Sequence, residues 1–284
     1  MSGPSLSSNA FVPANDENIA FQLSAMARQM PDHVAIASPR RQFRDGRRIY
    51  RQLTFRELDQ DSQRLAAGLQ ALGITPGRRM VLLVRPGIEF ISLTFALFKT
   101  GAVVVLIDPG MGRSHLLQCL EDVEPDGFVA IPLAHIVRVL QRHRFPRARW
   151  NVTVGRRWGW RGSTVAQLRR TAIETYQRPE IHADDPAAII FTTGSTGPPK
   201  GVLYRHGNFA NQVQQLRDFY QVQPGEIDLP AFPLVALFNS AMGVTSVIPR
   251  MDPRKPAEVR PERIVEAIHD WQVTQAFGSP ALWN

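Results

Sequence analysis

The sequence has very little cysteine and very little lysine. Cys119 is the single cysteine among 284 residues, so no disulfide can form within the chain. A reducing compartment is the simplest interpretation, with Cys119 as a small buried apolar residue. Positive charge comes almost entirely from arginine, because the 33 basic residues include only three lysines, Lys99, Lys200 and Lys255.

Uninterrupted apolar runs of membrane-spanning length are also absent from the sequence. The most apolar stretches, 90–108 and 231–249, are interrupted by residues such as Lys99 and Asn239. A spanning helix needs about 20 consecutive apolar residues. Both stretches are therefore predicted to lie in the core of a soluble protein. Residues 1–18 lack the features of a signal peptide, which predicts a flexible leader and a cytoplasmic location.

Short strands and helices alternate through most of the remaining chain. Buried strands such as 80–84 and 103–107 are each followed by a segment of helical length. This alternation predicts an α/β fold with parallel and mixed sheets covered by helices. Thr54 and Glu57 have the spacing of a capping box, which predicts the start of a helix.

A stretch rich in arginine and tryptophan follows these strands. Between Gly127 and Ile173 there are ten arginines and no acidic residue. Within 138–161 the arginines alternate with Trp150, Trp158 and Trp160, a pattern that can bind single-stranded nucleic acid or an anionic surface. The alternatives are a solvated face and a docking face for a protein partner. A non-catalytic binding protein that uses this stretch is therefore one hypothesis.

The segment FTTGSTGPPKG, residues 191–201, places glycines, hydroxyl residues, prolines and one lysine directly after a buried strand. Glycines let backbone amides approach an anion, and a lysine adds a mobile positive charge. The order Pro-Pro-Lys-Gly excludes a Walker loop, in which the lysine begins a helix. The pattern predicts a flap that closes on a polyphosphate, and the alternative is an ordinary surface loop.

This segment resembles the phosphate loop of the adenylate-forming superfamily of acyl-CoA synthetases, luciferases and peptide-synthetase adenylation domains. Segments 53–84, 98–111 and 275–283 agree in order and spacing, so the resemblance covers nearly all of the chain from residue 19. Segments 192–213 and 225–249 are most similar to the olefin-pathway β-lactone synthetases.

The resemblance implies which residues hold the β- and γ-phosphates of ATP: Thr192, Thr193, Gly194, Ser195, Thr196, Gly197 and Lys200. It also implies that Thr192 contacts the Mg²⁺ shell. The superfamily reaction joins a substrate carboxylate to the α-phosphorus of ATP, giving an acyl-adenylate and pyrophosphate. In the β-lactone branch a β-hydroxyl of the substrate then displaces AMP, whereas in the ligase branch coenzyme A takes the acyl group.

Two features depart from the superfamily pattern. Many relatives have a histidine where this chain has Ala236. The apolar residues around it are predicted either to line a pocket for a long alkyl chain or to pack in the core: Leu234, Val235, Ala236, Leu237 and Phe238. His206 matches a position that is often polar in the superfamily and is not predicted to be catalytic.

The second departure is length. Superfamily members are roughly twice as long as these 284 residues. Their adenine and ribose motifs, and their C-terminal domain with its catalytic lysine, are expected beyond Asn284. Residues 19–284 are therefore predicted to be a partial N-terminal AMP-binding domain, with catalytic residues in the absent part and little activity of its own.

The leading hypothesis is an AMP-forming ligase that uses ATP and Mg²⁺ to activate a fatty or β-hydroxy fatty acid for β-lactone formation in olefin biosynthesis. A fatty acyl-CoA ligase, which also needs coenzyme A, is the alternative. The expected partners are ATP, a carboxylic acid and possible pathway proteins, without nucleic acid and without a transmembrane segment.

Overall fold

The computed structural model describes residues 17–44, 47–107, 111–192, 199–252 and 255–283. Within these ranges the chain forms one seven-stranded and one five-stranded sheet, both covered by helices. The predicted α/β class, with parallel and mixed sheets, is confirmed.

Helix α1 (Ile19–Gln29) begins directly after Asn18. The Asn18 side-chain oxygen accepts from the N–H of Ala20 at 2.9 Å, and its amide donates to the carbonyl of Phe98 at 2.8 Å. This buried cap ties the start of α1 to a distant helix. Residues 1–16 of the predicted leader lie outside the described residues.

A polar hairpin and a capped helix follow. Strand β1 (Val34–Arg44) pairs antiparallel with β2 (Arg47–Thr54). The β2 strand leads into α2 (Phe55–Ala71), where the predicted capping box is confirmed. The N–H of Glu57 donates to Thr54 Oγ1 at 3.2 Å, and the N–H of Thr54 donates to the Glu57 carboxylate at 2.9 Å.

The seven-stranded sheet has the order β7-β6-β5-β3-β4-β8-β9, and all neighbouring strands are parallel except β8 and β9. Its central strands are short apolar runs such as VVVLI, buried on both faces as parallel strands require. The strands are β3 (Arg79–Leu83), β4 (Val103–Ile107), β5 (Gly127–Ala130), β6 (Trp150–Thr153), β7 (Ser163–Thr164), β8 (Pro186–Thr192) and β9 (Lys200–Arg205).

Helices connect these strands along the chain. They are α3 (Ile88–Lys99), α4 (Arg113–Asp122), α5 (Pro132–Leu140) and α6 (Val165–Leu168), and α7 (His206–Tyr220) follows β9. Helix α5 differs from the sequence interpretation, which assigned no helix there. Its apolar residues Leu133, Ile136, Val137 and Leu140 recur at helical spacing, so the signal for this helix was present in the sequence.

The five-stranded sheet has the order β12-β10-β11-β1-β2 and is parallel except for the β1–β2 pair. Its further elements are β10 (Ile227–Pro230), α8 (Val235–Met242), β11 (Thr245–Val247), α9 (Pro261–Trp271), β12 (Gln275–Phe277) and α10 (Pro280–Trp283). The sequence predicted a strand and a turn at the end of the chain, where the structure has β12 followed by the short helix α10.

Helix α3 lies at the centre of the main core, and eleven of its residues are buried. One of them is Lys99, whose ammonium donates to Asp59 Oδ1 at 2.7 Å and to Ser62 Oγ at 2.9 Å, both on α2. Burial lowers the Lys99 pKa, and the negative charge of Asp59 opposes that effect. Cys119 is buried and unpaired, as predicted. In the described part of the chain, every helix is too short or too polar to cross a bilayer.

Candidate functional site

The β8–β9 hairpin carries the predicted phosphate loop between its two strands. Thr192 and Lys200 are direct partners across the strands, at the end where the loop leaves β8 and enters β9. The structure thus brings together the first and last of the predicted phosphate contacts. Residues 193–198 lie outside the described residues, so the contacts of five loop residues remain predictions: Thr193, Gly194, Ser195, Thr196 and Gly197. The side chain of Thr192 is also outside the description, and its contact with Mg²⁺ remains a prediction.

Gly201 allows the two strands of the hairpin to pack closely. A Cβ at this position would lie 3.0 Å from Cζ of Phe191 and 3.1 Å from Cγ2 of Ile189. Either neighbour would have to move to accept a larger side chain. The last glycine of the motif therefore has a packing role in β9.

Lys200 is exposed at the loop end of β9. It forms no ion pair with any residue that the structure describes, whereas Lys99 pairs with Asp59 and Lys255 pairs with Glu258. An ammonium group that is not neutralised by a carboxylate is available to an anion. Beside a loop rich in glycine and hydroxyl residues, it suits the binding of a polyphosphate.

Strand β8 ends, and the predicted loop begins, at the carboxyl edge of the parallel strands. Strand β8 runs parallel to β4, and Phe191 is opposite Ile107, so both strands end at the same edge. Ligands of open α/β sheets bind outside the carboxyl ends of the strands. The position of the hairpin therefore agrees with a ligand-binding role.

Comparison with known proteins identifies the family. The profile of the AMP-binding enzymes matches residues 23–284. The chain belongs to the AMP-binding enzyme family. This confirms the resemblance to adenylate-forming enzymes on which the site residues were predicted.

Two curated relatives within this family are olefin β-lactone synthetases. The one from Stenotrophomonas maltophilia is 50% identical over 270 residues, and the one from Xanthomonas campestris is 48% identical over 267 residues. Each match covers 93% of this chain and 48% of the relative. The chain thus spans about half the length of the curated relatives it matches.

Solved structures support the family fold. A long-chain-fatty-acid-CoA ligase from Archaeoglobus fulgidus matches with a TM-score of 0.77 over 96% of this chain and 52% of the ligase. The sequence identity is 19%, so this likeness concerns the fold alone. The predicted fold, the N-terminal part of the adenylate-forming architecture, is confirmed.

In this AMP-binding family member, the predicted substrate-pocket residues lie at the start of α8. Ala236 and Leu237 are fully buried in the main core, and the Phe238 ring lies 6.0 Å from that of Phe209 on α7. Leu234 and Val235 are partly exposed. The structure therefore shows which of these side chains pack inside the protein, and the assignment of an alkyl pocket remains a prediction.

A buried polar cluster beside α8 was not found from the sequence. The Asn239 amide donates to Asp228 Oδ2 at 2.6 Å and is 3.0 Å from Ser246 Oγ. Burial raises the Asp228 pKa to about 6, and the hydrogen bond from Asn239 opposes that effect. The one available signal was an acidic residue inside the otherwise apolar strand β10.

His206 is fully buried at the start of α7. Pro186 pairs with Arg205, so His206 follows the end of the hairpin opposite to Lys200. Neither ring nitrogen has a hydrogen-bond partner among the described residues, and burial lowers the pKa to about 4. His206 is thus a neutral, enclosed imidazole at the far end of the hairpin, and the expectation that it is not catalytic stays a prediction.

Proposed function

We propose that this chain supplies the phosphate-binding part of an AMP-forming enzyme that activates a fatty or β-hydroxy fatty acid for β-lactone formation. The supporting observation is that Thr192 and Lys200 are direct strand partners where β8 ends and β9 begins, and that Lys200 forms no ion pair with any described residue. The identity of 50% to an olefin β-lactone synthetase favours this product over others in the family.

The proposed first step joins two anions. An oxygen of the substrate carboxylate attacks the α-phosphorus of ATP, the bond to the β-phosphate oxygen breaks, and pyrophosphate leaves. Lys200 would bind the β- and γ-phosphates and stabilise the charge that grows on pyrophosphate. Because Lys200 has no described carboxylate beside it, its full positive charge is available for this purpose.

Mg²⁺ fits this site mainly through the phosphates of ATP. The described residues contain no group of three or more His, Cys, Asp or Glu side chains that could hold a metal ion. Mg²⁺ in nucleotide sites is usually held by a few protein ligands together with substrate phosphates and water. When bound, it would neutralise phosphate charge, and Thr192 is the residue proposed to contact its shell.

The proposed second step closes the lactone ring. The β-hydroxyl oxygen attacks the acyl carbonyl carbon, the bond to the AMP oxygen breaks, and the hydroxyl proton is released. This step needs no thiol. The competing fatty acyl-CoA ligase reaction uses the same acyl-adenylate but requires coenzyme A as the acceptor.

Titration calorimetry with MgATP tests the assignment of the hairpin. Lys200→Ala should weaken binding about tenfold or more, because a charge-assisted contact is lost. Lys255→Ala is the matched control, since it removes an exposed lysine on another part of the chain, and it should change affinity less than twofold. Equal affinity of the Lys200→Ala variant and the unaltered chain would show that Lys200 does not bind the nucleotide phosphates, and would contradict the proposal.

A chimera tests the proposed product. This chain replaces the matching 48% of the Stenotrophomonas maltophilia synthetase, and the chimera receives ATP and a long-chain 3-hydroxy acid with or without coenzyme A. The proposal expects a β-lactone with AMP and pyrophosphate in the absence of coenzyme A. Acyl release that depends on the thiol would favour the ligase instead.

A further inference from the structure

Helix α5 exposes an apolar stripe to solvent. Leu133, Val137 and Leu140 follow at spacings of four and three residues, which places them on one helix face. Their exposed fractions are 66%, 41% and 70%. Scattered exposed apolar residues are ordinary, but three large aliphatic side chains on one helical stripe form a patch that suits an apolar partner.

The loop 155–161 is held against this helix. The ring of Trp160 lies 5.3 Å from that of His135 on α5, and its indole N–H donates to Thr153 Oγ1 at 2.9 Å. His135 is itself fixed, because its Nε2 is 3.0 Å from the Val152 carbonyl oxygen. The neighbouring Trp158 ring is 6.4 Å from Trp160 and is 57% exposed. An exposed indole is thus connected to α5 through the rings of Trp160 and His135.

Exposed arginines without a described ion-pair partner lie in the loop 155–161 and directly after α5. Arg142, Arg156 and Arg161 are exposed and form no ion pair with any residue in the described ranges. Other arginines of the same stretch are neutralised, since Arg144 pairs with Glu121 and Arg169 pairs with Asp61. With no acidic residue between 127 and 173, the surface is complementary to an anionic partner.

We propose that α5, the adjoining Arg142 and the loop 155–161, here together called the basic face, bind the interface of an anionic lipid bilayer. Arginines would contact lipid phosphates, Trp158 would lie at headgroup level, and the stripe of Leu133, Val137 and Leu140 would enter the acyl boundary.

The exposed side chains favour lipid over nucleic acid. Single-stranded nucleic acid is bound by aromatic rings on which bases stack. The indole N–H of Trp150 donates to the Leu72 carbonyl at 2.7 Å, and Trp160 packs on His135, so Trp158 is the one largely exposed tryptophan of the three. The aliphatic stripe offers nothing to a base or a ribose but is suited to acyl chains.

The proposal does not depend on the proposed function. The basic face lies beside β5, β6 and β7, at one edge of the seven-stranded sheet, and the phosphate hairpin forms the other edge. Loss of vesicle binding and loss of nucleotide binding can therefore be measured separately on the same protein.

Vesicle sedimentation tests the proposal with the full chain. Vesicles of phosphatidylcholine and phosphatidylglycerol should bind the chain at least tenfold more strongly than phosphatidylcholine alone, and added salt should weaken binding. The Leu133→Gln, Val137→Gln and Leu140→Gln triple variant should lose about tenfold in binding without any change in charge. A second triple variant, Arg142→Gln, Arg156→Gln and Arg161→Gln, should lose at least as much.

A control variant removes the same charge elsewhere: Arg28→Gln, Arg64→Gln and Lys255→Gln, all at exposed positions. It should bind anionic vesicles within twofold of the unaltered chain, and circular dichroism checks that all variants are folded. The proposal is overturned if the unaltered chain does not bind anionic vesicles, or if the control variant loses as much vesicle binding as the Arg142, Arg156 and Arg161 variant. It is also overturned if the Leu133→Gln, Val137→Gln and Leu140→Gln triple variant binds vesicles as strongly as the unaltered chain. A further contradicting result is stronger binding to single-stranded oligonucleotides than to anionic vesicles.

Discussion

The α2–α3 contact and the β8–β9 hairpin each contain one of the scarce lysines of this arginine-rich chain, in opposite environments. Lys99 is 1% exposed and donates to Asp59 and Ser62. Lys200 is exposed and has no described ion-pair partner. Both residues belong to the same small set of lysines, so their rarity does not distinguish them. The difference in burial and in ion pairing is what separates the structural ammonium group of Lys99 from the exposed one of Lys200.

Lys99→Met should have the largest effect on stability. The substitution leaves Asp59 in a largely buried position without its cation, and breaking such a pair typically costs about 3–5 kcal/mol. Urea denaturation measures the loss, with Lys200→Met as the matched control. A loss below about 1 kcal/mol would mean that the Ser24 hydroxyl, which already donates to Asp59 Oδ1 at 2.6 Å, is sufficient for this carboxylate, and the comparison between the two lysines would then fail.

Asp228→Asn sharpens the comparison, because Asp228 is a buried charge without a cation beside it among the described residues. Its pKa of about 6 exceeds the ordinary 3.8, so the folded state holds the proton more tightly and loses stability as pH rises from about 4 to about 6. Near pH 7 the asparagine variant should be more stable by on the order of 2 kcal/mol, with no gain near pH 4.

Denaturation at several pH values checks this prediction. His135 and His206 have pKa values lowered to about 4 by burial, so they make the fold less stable as pH falls below about 6.5. The unaltered chain and the Asp228→Asn variant both contain these histidines. Their effect therefore cancels when the two free energies of unfolding are subtracted. An equal difference at pH 4 and pH 7 would contradict the assigned pKa.

Lys200→Met and Lys255→Met should have the smallest effects on stability. Both lysines are exposed, and the Lys255–Glu258 pair is a surface pair in which both side chains are more than half exposed. Each change should stay within about 0.5 kcal/mol in thermal or urea unfolding. A larger loss for Lys200→Met would indicate that this lysine supports the hairpin, and the distinction between the structural Lys99 and the proposed phosphate-binding Lys200 would weaken.

The sequence predicted features that depend on neighbouring residues. The Thr54 and Glu57 capping box and the parallel strand pattern are local, and both are present in the structure. The family followed from one long motif. Local signals were also sufficient to place Thr192 and Lys200 at the two ends of one loop.

Features that depend on tertiary contacts were not predicted. Lys99 and Asp59 are 40 residues apart in the chain, and no local pattern links them. The Asp228 and Asn239 cluster requires β10 and α8 to pack together, which only the fold determines. Helix α5 is different, because its apolar residues recur at helical spacing and a local signal for it was present in the sequence.

Strand β9 is the outermost strand of its sheet among those described, and Val202 and Leu203 on it are 43% and 48% exposed. Such an edge presents unpaired peptide groups on which a second molecule can add a strand, and charged neighbours oppose that addition. Lys200 at one end and Arg205 at the other supply this protection. Preparations in which Lys200 is neutralised should therefore be monitored by light scattering for self-association, so that aggregation is not mistaken for lost affinity.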